Sequence, residues 1–350
     1  MNEEQRRNWI LSRQRRKSVD ITVLAQDLME GNRQALGQGI TLVESTQPED
    51  RRKAMALLSQ TKQAQGMSIR IGITGVPGVG KSTFIEAFGM YLLSVGKRLA
   101  VLAVDPSSTK NKGSILGDKT RMNELSMQDQ VFIRPSPSGG TLGGLARSTN
   151  ESILLCEAAG YDVILVETVG VGQSETMVRQ SVDFFLLLML SGAGDELQGI
   201  KRGIMELADL LVVTKADGEN SRAANRAASE YKNAMHLFPA NDNGWIPRTS
   251  TCSALEKTGL NDIWIQIESF VNQTKINGWF EKNRKEQQLF WFNRMVQNDL
   301  LERLKNESRF SELMHESEQL IRDGHDNAFV LAQKLVHEIF KTYIKSNGKN

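Results

Sequence analysis

The chain of 350 residues, 40% hydrophobic and with both charge signs mixed, has the composition of an ordinary soluble globular protein: one large domain, or a core with helical additions. A net charge of +2 supplies no global field for nucleic acid or an anionic membrane, so neither is expected as a partner. Two cysteines, Cys156 and Cys252, are too few for a disulfide framework and point to a reducing, cytoplasmic setting.

The polar start Met1-Asn2-Glu3-Glu4 carries no apolar stretch of the kind a secretory signal needs. Residues 1–66 read as helical, without a strand signal. The basic run Arg13-Gln14-Arg15-Arg16-Lys17 reads as a solvated face or a frayed terminus. Asp20 is placed to cap a helix running through Val23, Leu24 and Leu28 to Gly31. A second helix covers 35–44, and a third starts at Pro48, whose fixed φ suits a first turn. This region is expected to be a helical N-terminal extension packed on the domain that follows.

From 67 to 272 the pattern alternates between strand and helix. Strands are expected at 69–74, 99–104, 131–134, 163–167, 184–190 and 210–215. Continuous Val, Ile and Leu runs of this kind suit a mostly parallel sheet flanked by helices. The longest, 184–190, is far too short to span a bilayer. In such sheets ligand groups collect at the carboxyl ends of the strands.

The first strand runs into Gly75-Val76-Pro77-Gly78-Val79-Gly80-Lys81-Ser82-Thr83, which fits G-x-x-x-x-G-K-[ST] and is followed by an amphipathic helix to about 94. Strand, glycine loop and helix in this order define a phosphate site of the P-loop NTPase fold. Backbone amides of the loop and the positive helix end face an anion. Lys81 reaches the β- and γ-phosphate oxygens, and the Ser82 hydroxyl takes a place on Mg²⁺.

Asp105 ends the second strand before Pro106-Ser107-Ser108; it either holds Mg²⁺, directly or through water, or caps a turn. Asp118 follows in a polar, glycine-bearing loop able to close over the γ-phosphate. The glycine-rich stretch 136–144 is either a phosphate- or partner-sensing loop or an ordinary connector. Cys156 lies in the apolar helical run Ile153-Leu154-Leu155-Cys156 and reads as core packing.

Glu167-Thr168-Val169-Gly170 ends the fourth strand as a γ-phosphate sensor. The carboxylate addresses Mg²⁺ or its water, and the Gly170 amide donates to the γ-phosphate. Loss of that phosphate would release Val171-Gly172-Gln173-Ser174-Glu175. The stretch 191–201, which follows the most apolar strand, reads as a second mobile loop.

Thr214-Lys215-Ala216-Asp217 ends the sixth of these strands. The Asp217 carboxylate has only acceptors and matches the ring N–H and amino group of guanine, whereas adenine leaves it unpaired. The Lys215 stem lies along the base, and backbone amides around Ser253, Ala254 and Leu255 face the guanine carbonyl. The set favours GTP over ATP.

Beyond 273 the chain is helical again. Phe290, Trp291, Phe292 and Met295, then Leu300, Leu301 and Leu304, recur at helical spacing. With no strands to cover, they imply a helix–helix interface within one chain or between two. The four histidines form no ligand spacing with the cysteines.

On these residues the chain resembles the MeaB/ArgK family of P-loop GTPases, to which the human methylmalonic aciduria type A protein belongs. The most specific pieces are 75–83, Val104-Asp105-Pro106-Ser107-Ser108, the run from Glu167 to Glu175, and 192–201. Glu167 in place of the usual aspartate is a mark of that family. The resemblance implies a homodimeric GTPase, binding GTP or GDP with Mg²⁺, that serves as chaperone to an adenosylcobalamin-dependent acyl-CoA mutase, usually methylmalonyl-CoA mutase. It implies Ser82, Asp105, Asp118 and Glu167 as ligands of Mg²⁺ and its waters, with Lys81, Asp105, Glu167 and Gly170 serving hydrolysis. Gln198 and Lys201 become candidate mutase contacts, and 273–350 a dimerisation arm. The ArgK branch also carries an older label, a kinase or ATPase of lysine/arginine/ornithine transport. A nickel metallochaperone GTPase would share the fold but would need a His/Cys cluster. Thr214 departs from the asparagine many GTPases carry there to brace the phosphate loop, so looser nucleotide binding is expected. Val171 stands where fast-switching GTPases place a water-orienting glutamine, which implies slow intrinsic hydrolysis.

Overall fold

The computed structural model describes residues 20–62, 68–104, 122–135, 142–168, 173–192, 202–238 and 241–347. Three helices open it: α1 (Ile21–Met29), α2 (Arg33–Glu44) and α3 (Pro48–Gln60). The Asp20 carboxylate accepts from the Thr22 amide at 2.9 Å, capping α1 as its sequence position implies. Asn32 does the same for α2, and Pro48 occupies the first turn of α3.

The centre is a seven-stranded parallel sheet built from β1 (Ile69–Gly75), β2 (Leu99–Val104), β3 (Val131–Arg134), β4 (Val163–Thr168), β5 (Phe184–Met189), β6 (Leu210–Val213) and β7 (Arg248–Thr251). Its order is β3-β2-β4-β1-β5-β6-β7, so β1 is central. β7 adds a strand beyond those expected from the sequence, since Arg-Thr-Ser-Thr offers no apolar run. It is an edge strand, held by its ladder to β6, with the Arg248 guanidinium 4.4 Å above the Trp245 ring.

Side chains alternate across the sheet, and each face buries a separate core. Ile71, Ile73, Leu165, Leu186 and Val212 point to one face. They are covered there by α4 (Lys81–Ser94) and α10 (Leu260–Ile276), with Phe184 edge-on to Phe270. On the other face Ala100, Leu102, Ile164 and Val166 pack with α1, α2 and α3 and with α6 (Leu142–Ala158). The N-terminal helices thus complete the sheet's own core. Beyond them, Leu187, Met189, Leu211 and Val213 are covered by α8 (Arg202–Leu207) and α9 (Ser221–Met235). Among the described residues this part also holds the single turn α5 (Asn123–Ser126) and α7 (Gln173–Arg179). Cys156 is buried in the second of these cores, as expected. Burial pushes the Cys252 thiol up to about 12, so neither cysteine is a reactive thiolate.

The amino edge of the sheet carries buried charge, all of it paired. Arg70, inside the apolar run of β1, forks onto Glu157 with two bonds of 2.8 Å. Arg284 of α11 (Trp279–Lys305) forks onto Asp183 at 2.8 and 2.7 Å and reaches the Ser68 carbonyl at 2.6 Å. Asp183 in turn accepts from the Arg70 amide. Removing one member of such a set strands a buried charge, at a cost of about 3–5 kcal/mol. The root of α11 is thereby fastened at the pole opposite the strands' carboxyl ends.

Two compact units divide the chain, Met1–Gln287 and Gln288–Asn350. In the second, α12 (Ser308–Arg322) packs on α13 (Ala328–Asn347). Phe292, Leu300, Leu301, Phe329 and Phe340 leave large apolar surface exposed there. Among the described residues no helix is long and apolar enough to cross a membrane.

Candidate nucleotide site

β1 ends at Gly75 between β4 and β5, and the loop 76–80 leads straight into α4. Gly75 is fixed by space: a Cβ there would lie 2.5 Å from the Leu188 carbonyl oxygen. Gly80 is fixed by conformation, standing at φ +90 as the residue that starts α4. Its carbonyl accepts from the Phe84 amide, and the amides of the first turn, as at any helix start, have no partner within the helix and are free to meet an anion.

Lys81 folds back over this loop. Its ammonium donates to the Gly75 carbonyl at 2.9 Å and the Val76 carbonyl at 3.4 Å. Burial pushes the ammonium below the usual lysine range; the carboxylates of Glu167 and Glu175 oppose that without cancelling it. Glu167 projects from β4 to the same face of the sheet as α4, in register with Ile73 of β1. Ser82 sits in the first turn of α4. The group is therefore a desolvated cation beside helix-end amides, with two carboxylates close enough to be felt. It suits a polyanion that brings its own countercharge.

The neighbouring strand ends hold a second group. β6 stops at Val213, two residues short of the expected strand end, because Thr214 and Lys215 turn toward the loop. The Thr214 hydroxyl donates to the Val79 carbonyl at 2.8 Å and to the Met189 carbonyl at 3.2 Å. Lys215 stands at φ +56, and its ammonium donates to the Gly78 carbonyl at 2.9 Å. The brace expected to be missing with Thr214 is present, supplied by a shorter side chain. Thr214→Val keeps the shape and removes the hydroxyl, orphaning a buried carbonyl. Nucleotide affinity should fall about tenfold, from roughly 1–2 kcal/mol of lost bonding. Titration with a fluorescent guanine nucleotide checks this; unchanged affinity would deny the hydroxyl that role.

Asp217 is half-buried, and its Oδ2 accepts from the Ser253 hydroxyl at 2.8 Å. Ser253 is fully buried; its Oγ accepts from the Glu256 amide, and its backbone pairs with Thr258 across a small antiparallel bridge. That bridge presents Ala254 and Leu255 at the tip, Leu255 well exposed. The structure thus brings together Gly75 to Thr83, Thr214, Lys215, Asp217, Ser253 and Glu167 at the carboxyl ends of β1, β4, β6 and β7. Asp105, Asp118, Gly170, Val171, Gln198, Lys201, most of 136–144 and the basic run 13–17 lie outside the described residues. Among the described residues no three His, Cys, Asp or Glu side chains form a group that could hold a metal ion. Sequence reasoning missed Asn220, which binds the Lys215 carbonyl; its only signal was an asparagine three residues after Asp217.

A parallel sheet whose central strand feeds a glycine loop, a lysine and a helix defines a P-loop nucleotide-binding protein. The family described as methylmalonyl-CoA mutase-associated GTPase MeaB matches residues 36–309. A putative GTPase of Caulobacter vibrioides is 49% identical over 319 residues, covering 91% of this chain and 98% of its own. The mitochondrial methylmalonic aciduria type A homologue of Mus musculus is 45% identical over 307 residues, 85% of this chain and 74% of its own. The crystal structure of an LAO/AO transport system kinase superposes with a TM-score of 0.74 at 37% identity, covering 92% of this chain and 98% of its own. The chain belongs to the MeaB family and is a GTPase.

Proposed function

We propose that this GTPase gates adenosylcobalamin loading into an acyl-CoA mutase, methylmalonyl-CoA mutase or a relative, and protects that mutase from inactivation. The observation that carries this reading is the family match over residues 36–309, to a family described as associated with that mutase. GTP is bound with its phosphates on 75–83 and its base on Asp217, Lys215 and the 253–255 tip. Ser82 and Glu167, with Asp105 and Asp118, would hold Mg²⁺. The fit rests on hard oxygen donors, a hydroxyl and a carboxylate, with Glu167 close enough to Lys81 to act on its charge. When bound, Mg²⁺ supplies further positive charge to the β- and γ-phosphate oxygens. Lys81 neutralises charge growing on the bridging oxygen as water attacks, and the Gly170 amide donates to the γ-phosphate.

The arm 273–350 serves as the dimerisation element, the core being 67–272 and the extension 1–66. A homodimer is supported by the apolar side chains exposed on the second unit. Two buried free cysteines fit a reducing, cytoplasmic site of action. With Val171 in the water-orienting position, hydrolysis by the isolated protein is slow and rises when the mutase orders the switches. Single-turnover GTP hydrolysis with and without methylmalonyl-CoA mutase should differ by about tenfold or more. Equal rates would remove the mutase from the mechanism. The second reading, a kinase of basic amino-acid transport, is favoured only by the description of the crystal structure that superposes. Tighter binding of ATP than GTP would restore it.

A further inference from the structure

Asn220 directly precedes α9, in the position where asparagine ordinarily caps a helix through its side chain. Here that side chain caps nothing. Its Nδ2 donates to the Lys215 carbonyl at 2.5 Å, and its Oδ1 accepts from the Ser191 hydroxyl at 2.7 Å. The Asn220 amide also donates to the Asp217 carbonyl at 3.0 Å, so one residue grips both ends of the Lys215-Ala216-Asp217 turn. Lys215 needs such a grip. It stands at φ +56, a region that side chains with a Cβ enter only when held there. That conformation sends the Lys215 side chain back over the phosphate loop to Gly78 while the chain runs on to Asp217. Ser191 belongs to the turn that leaves β5, so the tie spans the ends of two neighbouring strands.

We propose that Asn220 is a positioning residue for guanine specificity: anchored by Ser191, it holds Lys215 in the left-handed conformation that sets the Asp217 carboxylate against the purine edge. This rests on the reading of Asp217 as the guanine-recognising group. The carboxylate is already fixed from the other side by the Ser253 hydroxyl. Ser253 restrains the side chain, and Asn220 restrains the backbone that carries it.

The test compares GDP with IDP, which lacks the 2-amino group, by competition against a fluorescent nucleotide on the full chain. Asn220→Ala and Asn220→Asp both remove the donor to Lys215 and should lower the GDP-to-IDP affinity ratio at least fivefold, about 1 kcal/mol of lost discrimination. Ser191→Ala leaves Asn220 in place but unanchored and should lower the ratio about threefold. A purely structural role would depress the melting temperature and weaken both nucleotides alike, leaving the ratio unmoved. An unchanged ratio in folded Asn220→Ala and Asn220→Asp overturns the proposal, and an unchanged ratio in Ser191→Ala overturns its anchor. If the wild type itself fails to separate GDP from IDP, the reading of Asp217 fails first.

Discussion

Lys81→Met is expected to remove most of the stabilisation that GDP confers while leaving the nucleotide-free fold at least as stable as the wild type. Linkage gives the second half. The Lys81 ammonium is held below the usual lysine range by burial, even after the pull of Glu167 and Glu175 is included. Between that depressed value and the ordinary one, the unfolded chain binds more protons than the folded chain, so stability rises with pH. At neutral pH the charge therefore opposes folding, and methionine, of similar length and uncharged, removes the opposition. The bonds from Lys81 to the Gly75 and Val76 carbonyls offset only part of it. The first half follows from what a polyanion would find. A charge-assisted hydrogen bond contributes about 1.5–3 kcal/mol, so losing the only lysine of the loop should weaken GDP by about 10²-fold. Thermal unfolding with and without GDP, repeated across alkaline pH, reads both halves. The wild type alone should gain stability as the lysine titrates. A variant that still melts higher with GDP, by the same interval as wild type, would take the ammonium out of the site.

Such a site is legible where geometry demands particular residues. Gly75 and Gly80 admit no other side chain without a collision or an unfavourable φ, so the phosphate loop announces itself in the sequence. The strands β1, β2, β4, β5 and β6 are buried on both faces, which writes them as apolar runs. β7 escapes because its side chains are at most half-buried, so nothing selects a hydrophobic pattern. Arg70 hides within an apolar run, since its partner Glu157 comes from α6 and can be found only in the folded chain. The Thr214 brace is hidden in the same way. Asparagine is the familiar residue there, and a threonine looks like a loss until its hydroxyl is seen against Val79. Asn220 is harder still, because before a helix it has a ready local explanation that the fold does not use.

Asp217→Asn should cost GDP at least about 10²-fold in affinity and shift preference toward the xanthine nucleotide. Guanine presents two donors, the ring N–H and the 2-amino group, to a carboxylate that only accepts. Asparagine keeps one acceptor and replaces the other with an N–H that faces the amino group, donor against donor. Xanthine carries a carbonyl in place of that amino group, so the same amide meets one donor and one acceptor and pairs with both. The support around Asp217 survives the exchange. The Ser253 hydroxyl, 2.8 Å from Oδ2, can donate to the amide oxygen, and the bridge to Thr258 is formed by backbone. The variant should therefore keep its fold and its phosphate grip while its base preference changes, which separates it from Lys81→Met, where every nucleotide is weakened alike. Competition among GDP, XDP and ADP on both proteins measures this directly. An unaltered GDP-to-XDP ratio would mean that the Asp217 carboxylate does not meet the base, and the guanine assignment of this pocket would fall with it.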